Sequence, residues 1–351
     1  MKRTVLFIFI SSFACCAALA WGQGTVTPEQ SVEPPQEKTV TQADQNPRAQ
    51  SGANSGAQQN GDQDVNDPAV TLKVNVKLVN VFATVTDSNG APVASLKRDD
   101  FKLYEDGVQQ KIAVFDRESE LPLSIVMGID SSLSTRKDLK LELESARRFA
   151  RAILRPVDGL ALYSFSENVD EVVPFTADLK VIDRGVNRIQ SSSATALYDA
   201  LYLGSEALNK RKGRKVMVVI TDGGDTASKV SYQDAVRAAQ IAEAICYSII
   251  MVPIEASAGR DTGGEHALIQ LSKDTGGKYY YATSLDQLDS AFSQISEELR
   301  TQYLLAYYPS QRLGGEFRRI EIKINPSTVD VANPEELKVR HRSGYFTSKL
   351  N

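Results

Sequence analysis

The stretch Gly128-Ile129-Asp130-Ser131-Ser132-Leu133-Ser134 sets one carboxylate and three hydroxyls within five residues, directly after the apolar run from Leu121 to Met127. A buried strand tip needs only a turn, so this much oxygen implies that something outside the backbone is held there. Asp222 closes a second apolar run, Val218-Val219-Ile220-Thr221-Asp222, and the two glycines behind it permit a sharp turn. Between these segments, Ser191-Ser192-Ser193-Ala194-Thr195 leads into a helical pattern. Ser, Thr and Asp are also ordinary helix caps and turn formers, so no one segment is diagnostic. Together they are: three segments, two at the ends of apolar strands, spaced by whole strand-helix units, meet at one sheet edge where ligands bind. The donors are hard oxygens, which suit Mg²⁺, with Mn²⁺ and Ca²⁺ as alternatives and Ca²⁺ wanting more carboxylate.

The elements that must position them follow from hydrophobic rhythm. Beyond Leu121, continuous apolar runs alternate with helical patterns at 138–154, 178–190, 196–209, 231–244, 264–273 and 285–300. That alternation predicts an α/β fold, a doubly wound and mostly parallel six-stranded sheet covered on both faces. The segment 162–175 reads as a hairpin that adds an antiparallel edge strand. Before this region, apolar residues alternate from Leu72 to Val85 with a phase slip at Val79, and 99–116 reads as two strands around the turn Glu105-Asp106-Gly107. After Arg300, strands are expected at 302–309, 317–325 and 338–346. Three strands make a poor core alone, so the two flanks are expected to build one β-sandwich, with the α/β domain inserted between.

The resulting division is 1–22 a secretory signal, 23–70 a disordered linker, 71–120 the first part of the sandwich, 121–300 the α/β domain and 301–347 the rest of the sandwich. Lys2 and Arg3 followed by the apolar stretch Val5 to Ala20 carry the signal reading, with cleavage after Ala20 or Gly22 and a lipid anchor at Cys15 or Cys16 as the alternative. Export to the periplasm, cell surface or medium follows. The linker holds no Leu, Ile, Phe, Tyr, Trp or Met, too little apolar surface to offset the entropy of ordering. Without the signal, Cys246 is the one remaining cysteine, in an apolar run, which leaves no internal disulfide and suits a small buried hydrophobe. Formal net charge is −4, and no basic stripe of the kind nucleic-acid binding requires is present. The basic runs 210–215 and 318–323 read as a solvated loop and strand face.

Asp130-Ser131-Ser132-Leu133-Ser134, Thr195 and Asp222-Gly223 resemble the metal-ion-dependent adhesion site (MIDAS) of von Willebrand factor type A (VWFA) domains over about residues 122 to 300. The flanks resemble secreted bacterial proteins of the acidobacterial type that carry a VWFA-related domain. This resemblance implies Ser132, Ser134 and Thr195 as direct ligands of Mg²⁺, and Asp130 and Asp222 as ligands directly or through water. It implies an adhesion module whose cation takes a carboxylate from a partner protein. Leu133 stands where the family has glycine, which removes no oxygen. Asp225 is a candidate peripheral ligand, against the plainer reading of a solvated turn residue. By the same analogy, helix 285–300 would shift when the acid binds.

Catalysis lacks its usual parts. No Gly-x-Ser-x-Gly occurs, and His266 and His341 read as polar surface residues. Neither a Gly-x-Gly-x-x-Gly nor a phosphate-binding loop follows a strand, so nucleotides are not expected. A non-catalytic binding module is the first reading; an envelope scaffold or maturation factor with a structural metal is the second, and a metal-assisted hydrolase the third.

Overall fold

In the computed structural model, residues 78–117, 121–133, 135, 139–252, 262–309, 315–331 and 333–347 are described, and the account below concerns these. Residue contacts divide the chain between Val70 and Thr71, and all of the described residues lie in the second unit. The signal and linker readings, and Ser134, fall outside the described residues.

The central sheet has six strands, β5 (Leu123–Asp130), β6 (Gly159–Phe165), β7 (Val169–Thr176), β8 (Arg214–Thr221), β9 (Ile245–Met251) and β10 (Tyr279–Ala282), in the order β10-β9-β8-β5-β6-β7. All pairings are parallel except β6 with β7, the antiparallel edge hairpin that the sequence predicts. The chain winds outward from β5 through β6 to β7, then returns to the other side of β5 for β8 and winds outward again. Strand order therefore reverses between β5 and β8, the position where an open α/β sheet opens a crevice at its carboxyl edge.

Strands buried on both faces must be apolar at every position, and the two faces divide by parity. Ile125, Met127 and Ile129 of β5 and Val216, Val218 and Ile220 of β8 pack under α1 (Leu139–Ile153), α2 (Leu179–Val186) and α6 (Leu285–Thr301). Val126, Met217 and Val219 face α3 (Leu197–Asn209), α4 (Tyr232–Ala242) and α5 (Thr262–Thr275). Cys246 lies in this second core, where burial pushes its thiol up to about 12 and makes it a packing residue.

The flanks pair with each other. β1 (Val79–Thr86) lies between β13 (Lys338–His341) and β11 (Tyr303–Tyr307), with β4 (Val114–Arg117) outside β11. A second sheet has the order β14-β12-β2-β3, from Gly344–Phe346, Phe317–Ile324, Phe101–Glu105 and Val108–Gln110. Both sheets contribute to one core of Val81, Leu103, Tyr303, Leu305, Tyr307, Ile320 and Tyr345.

Three expectations need correction. Segment 99–116 supplies three strands, because β4 leaves β3 and joins the opposite sheet. Segment 338–346 is two strands: the chain breaks at Arg342 and Ser343, where the Ser343 amide donates to the Asp274 carbonyl (2.8 Å), and changes sheets. His341 is not a surface residue; its Nε2 accepts from the Ile322 amide (3.0 Å) and its Nδ1 meets the Arg342 carbonyl (2.8 Å). Burial holds it below the usual histidine range, so it is a neutral bridge between strands. His266 is exposed on α5, as expected.

Candidate metal centre

Asp130 ends β5 and is fully buried. Its Oδ1 accepts from the Ser132 amide (2.9 Å), a local turn that bends the chain back over the strand end, and its Oδ2 accepts from the Thr221 hydroxyl (2.7 Å) at the end of β8. Thr221 is not among the residues that spacing and type single out, although its position as the last residue of an apolar strand beside Asp222 is a usable signal. Its hydroxyl also accepts from the Gly223 amide (3.1 Å), so one side chain orients both strand ends.

The three loops are joined by backbone bonds. Ser132 forms an isolated parallel bridge with Ser192, and the Ser192 amide donates to the Ser131 carbonyl (2.9 Å). Thr195 is tied to the loop after Asp222: its amide donates to the Thr226 hydroxyl (2.9 Å), and its carbonyl accepts from the amides of Thr226 (2.8 Å) and Ala227 (3.0 Å). Ala194, just before it, has φ +57°, which turns the chain into α3. The structure thus brings Asp130, Ser132, Thr195 and Asp222 to one edge. Leu133 is 55% exposed and points out of the loop. Asp225 is engaged elsewhere, since its Oδ1 accepts from the Tyr198 amide (3.2 Å) in the first turn of α3 and from the Ser228 hydroxyl (2.5 Å).

Electrostatics single out Asp130. Burial pushes its carboxyl up to about 6, opposed by hydrogen bonds from Thr221 and Ser132 and reinforced by the negative charge of Asp222. Among the described residues, no lysine or arginine is ion-paired with Asp130 or Asp222. No cluster of three or more His, Cys, Asp or Glu side chains able to hold a metal occurs among the described residues either. A cation here would rest on two carboxylates and neutral hydroxyls, and this donor set fits a hard divalent ion that relieves two neighbouring negative charges.

Residues 125–224 match the family model described as the von Willebrand factor type A domain. Solved structures with partial likeness include the conserved hypothetical protein BatB from Bacteroides thetaiotaomicron (17% identity, 51% of this chain and 100% of that one, TM-score 0.42). The PilB minor pilin from Streptococcus sanguinis is another (13%, 52% and 62%, TM-score 0.42). A third is a von Willebrand factor type A protein from Catenulispora acidiphila (11%, 79% and 75%, TM-score 0.46). No curated protein matches the chain.

Proposed function

We propose that the chain is an exported, non-catalytic binding module in which Asp130, Ser132, Ser134, Thr195 and Asp222 hold Mg²⁺, and that the ion takes a Glu or Asp carboxylate from a partner protein. The observation that carries this reading is the fully buried Asp130, set at the switch point against a second carboxylate with no cationic side chain paired to either among the described residues. A coordination shell made largely of neutral hydroxyls and water, with the carboxylates of Asp130 and Asp222 acting at least in part through water, leaves a divalent ion incompletely neutralised at close range, and such an ion attracts an external anion.

The chain's own residues divide the work. Thr221 and the Ser132 amide orient the Asp130 carboxylate, the bonds between Thr195 and the 226–227 loop fix the spacing of the second and third segments, and the exposed Leu133 leaves the rim open. Because these loops are already tied by backbone hydrogen bonds, a metal that only stiffens them is less needed, which favours binding over the scaffold alternative. Of the two histidines, His341 is engaged in the sandwich and is not offered to the site. No helix among the described residues is long and apolar enough to cross a membrane.

Capture from the native envelope in Mg²⁺, repeated with a chelator and with Asp130→Ala and Ser132→Ala, tests the proposal. A partner retained only by wild type in Mg²⁺ supports it; retention indifferent to all three changes refutes it.

A further inference from the structure

We infer that Gly264 is a positioning residue for Asp222, and that the first turn of α5 is the backstop of the candidate cation site. The inference rests on the cation reading above. In the sequence, Asp261-Thr262-Gly263-Gly264-Glu265-His266 reads as no more than a helix-flanking turn. In the fold, Gly264 meets the turn that carries Asp222 backbone to backbone. A Cβ on Gly264 would lie 1.5 Å from the Gly223 carbonyl oxygen, 2.7 Å from its carbon and 3.5 Å from the Gly224 nitrogen. From the other side, a Cβ on Gly223 would lie 3.2 Å from the Glu265 nitrogen, and Gly223 itself has φ +95°.

No side chain fits at 264 unless the 222–224 turn moves. Real Cβ atoms essentially never come within 3.0 Å of another atom, so the displacement is about 1.5 Å. A ligand-bearing turn cannot absorb that, since a functional constellation tolerates only about 0.5 Å and Mg²⁺ demands near-ideal octahedral geometry. Nor can α5 easily yield. Leu268 and Leu271 are buried in the core beneath it, and the Tyr281 hydroxyl of β10 donates to the Glu265 carboxylate in its first turn. The Tyr232 hydroxyl, from α4, also donates to the Ala267 carbonyl (3.3 Å). The helix start is thus held by β10, α4 and the core beneath, and the turn that carries Asp222 is set against it.

Gly277 provides a control of the same kind, because a Cβ there would lie 2.0 Å from the Cys246 carbonyl oxygen, a somewhat milder backbone clash at the opposite end of the sheet. Mn²⁺ affinity by calorimetry and electron paramagnetic resonance, and the unfolding midpoint in chelator, are measured for wild type, Gly264→Ala and Gly277→Ala. Both variants are expected to lose stability, while only Gly264→Ala loses affinity, by at least tenfold, the cost typical of disturbing groups that orient ligands. Wild-type affinity in Gly264→Ala, or equal losses in both variants, overturns the inference. If wild type itself takes up no Mn²⁺, the cation reading is what fails. Should Gly264→Ala not fold, Tyr281→Phe loosens the same turn by one hydrogen bond: a two- to fivefold loss of affinity supports the backstop, and unchanged affinity overturns it.

Discussion

Strand β5 begins beside one buried aspartate and ends in another. At its start, the Asp158 carboxylate accepts from the Leu123 amide (2.8 Å) and from Arg155 through its amide (2.9 Å), Nε (3.0 Å) and Nη2 (3.0 Å). Burial alone would raise that carboxyl, but these bonds outweigh it and hold it below the usual range. At the other end, Asp130 has hydroxyl and amide donors only, faces Asp222, and is pushed up to about 6. The difference extends along both edges. The amino edge neutralises its acids with protein cations: Glu298, 2% exposed, pairs with Arg340 of β13 (2.6 Å) and Lys278 (3.7 Å). Arg214 there donates to the Leu299 carbonyl (2.5 Å) and to Gln302 Oε1 (2.6 Å), and Gln302 donates to Thr84 of β1 (3.3 Å). One edge is therefore closed into a seam with the sandwich. The carboxyl edge pairs neither Asp130 nor Asp222 with a cationic side chain among the described residues, the condition under which a bound cation would be worth most.

This contrast can be broken first at the carboxyl edge. Asp130→Asn keeps the shape and removes the charge; Mn²⁺ affinity is expected to fall about a thousandfold, roughly 4 kcal/mol, more than the 10- to 100-fold typical of losing an orienting neighbour. Unfolding in chelator should show a protein at least as stable as wild type, because a buried unpaired carboxylate is gone. Arg340→Leu should do the reverse. It leaves Glu298 buried with Lys278, at 3.7 Å, as its one cationic partner among the described residues, so denaturant unfolding should show a loss of about 3 kcal/mol with cation affinity unchanged.

Smaller changes sharpen the same comparison. Thr221→Val removes the hydroxyl that holds Asp130 Oδ2, and calorimetry should show affinity weaker by roughly 10- to 100-fold. The smallest effect belongs to pH. Since the folded Asp158 carboxyl lies below its ordinary 3.8, its contribution is fully present above that value and is lost as pH falls through the lower folded value. Unfolding followed down through about pH 4 to pH 2 should therefore show a steeper loss for wild type than for Asp158→Asn. The difference should be at most about 1 kcal/mol, as the partner Arg155 is 44% exposed and screened by solvent.

Much of the sheet was legible because its strands are apolar at every position and its helices carry one apolar face. The oxygen cluster was legible because Asp130 closes such a strand and Asp222 directly follows one. What escaped depends on contacts between distant segments. Arg214 looked like part of a solvated basic loop, and the fold buries it against α6, where burial pushes it down to about 10 and still leaves it charged at neutral pH. Its neighbour Arg211 stacks over the Phe175 ring at 4.7 Å. His341 sits among arginines in the chain, but its partner is the backbone of β12, nineteen residues away. The break at Arg342 and Ser343 has only the short Ser343-Gly344 dipeptide as a turn signal; the change of sheet there comes with contacts to the Asp274 carbonyl and to Gly276, whose added Cβ would lie 2.5 Å from the His341 carbonyl carbon.

The central claim is that the carboxyl edge of this sheet takes up one divalent cation. Titrating Mg²⁺ and Mn²⁺ into chelator-stripped wild type by calorimetry, with Asp130→Asn alongside, tests it most directly. One saturable site in wild type that vanishes in the variant is the predicted result. No uptake by wild type, or equal uptake by both, would contradict it.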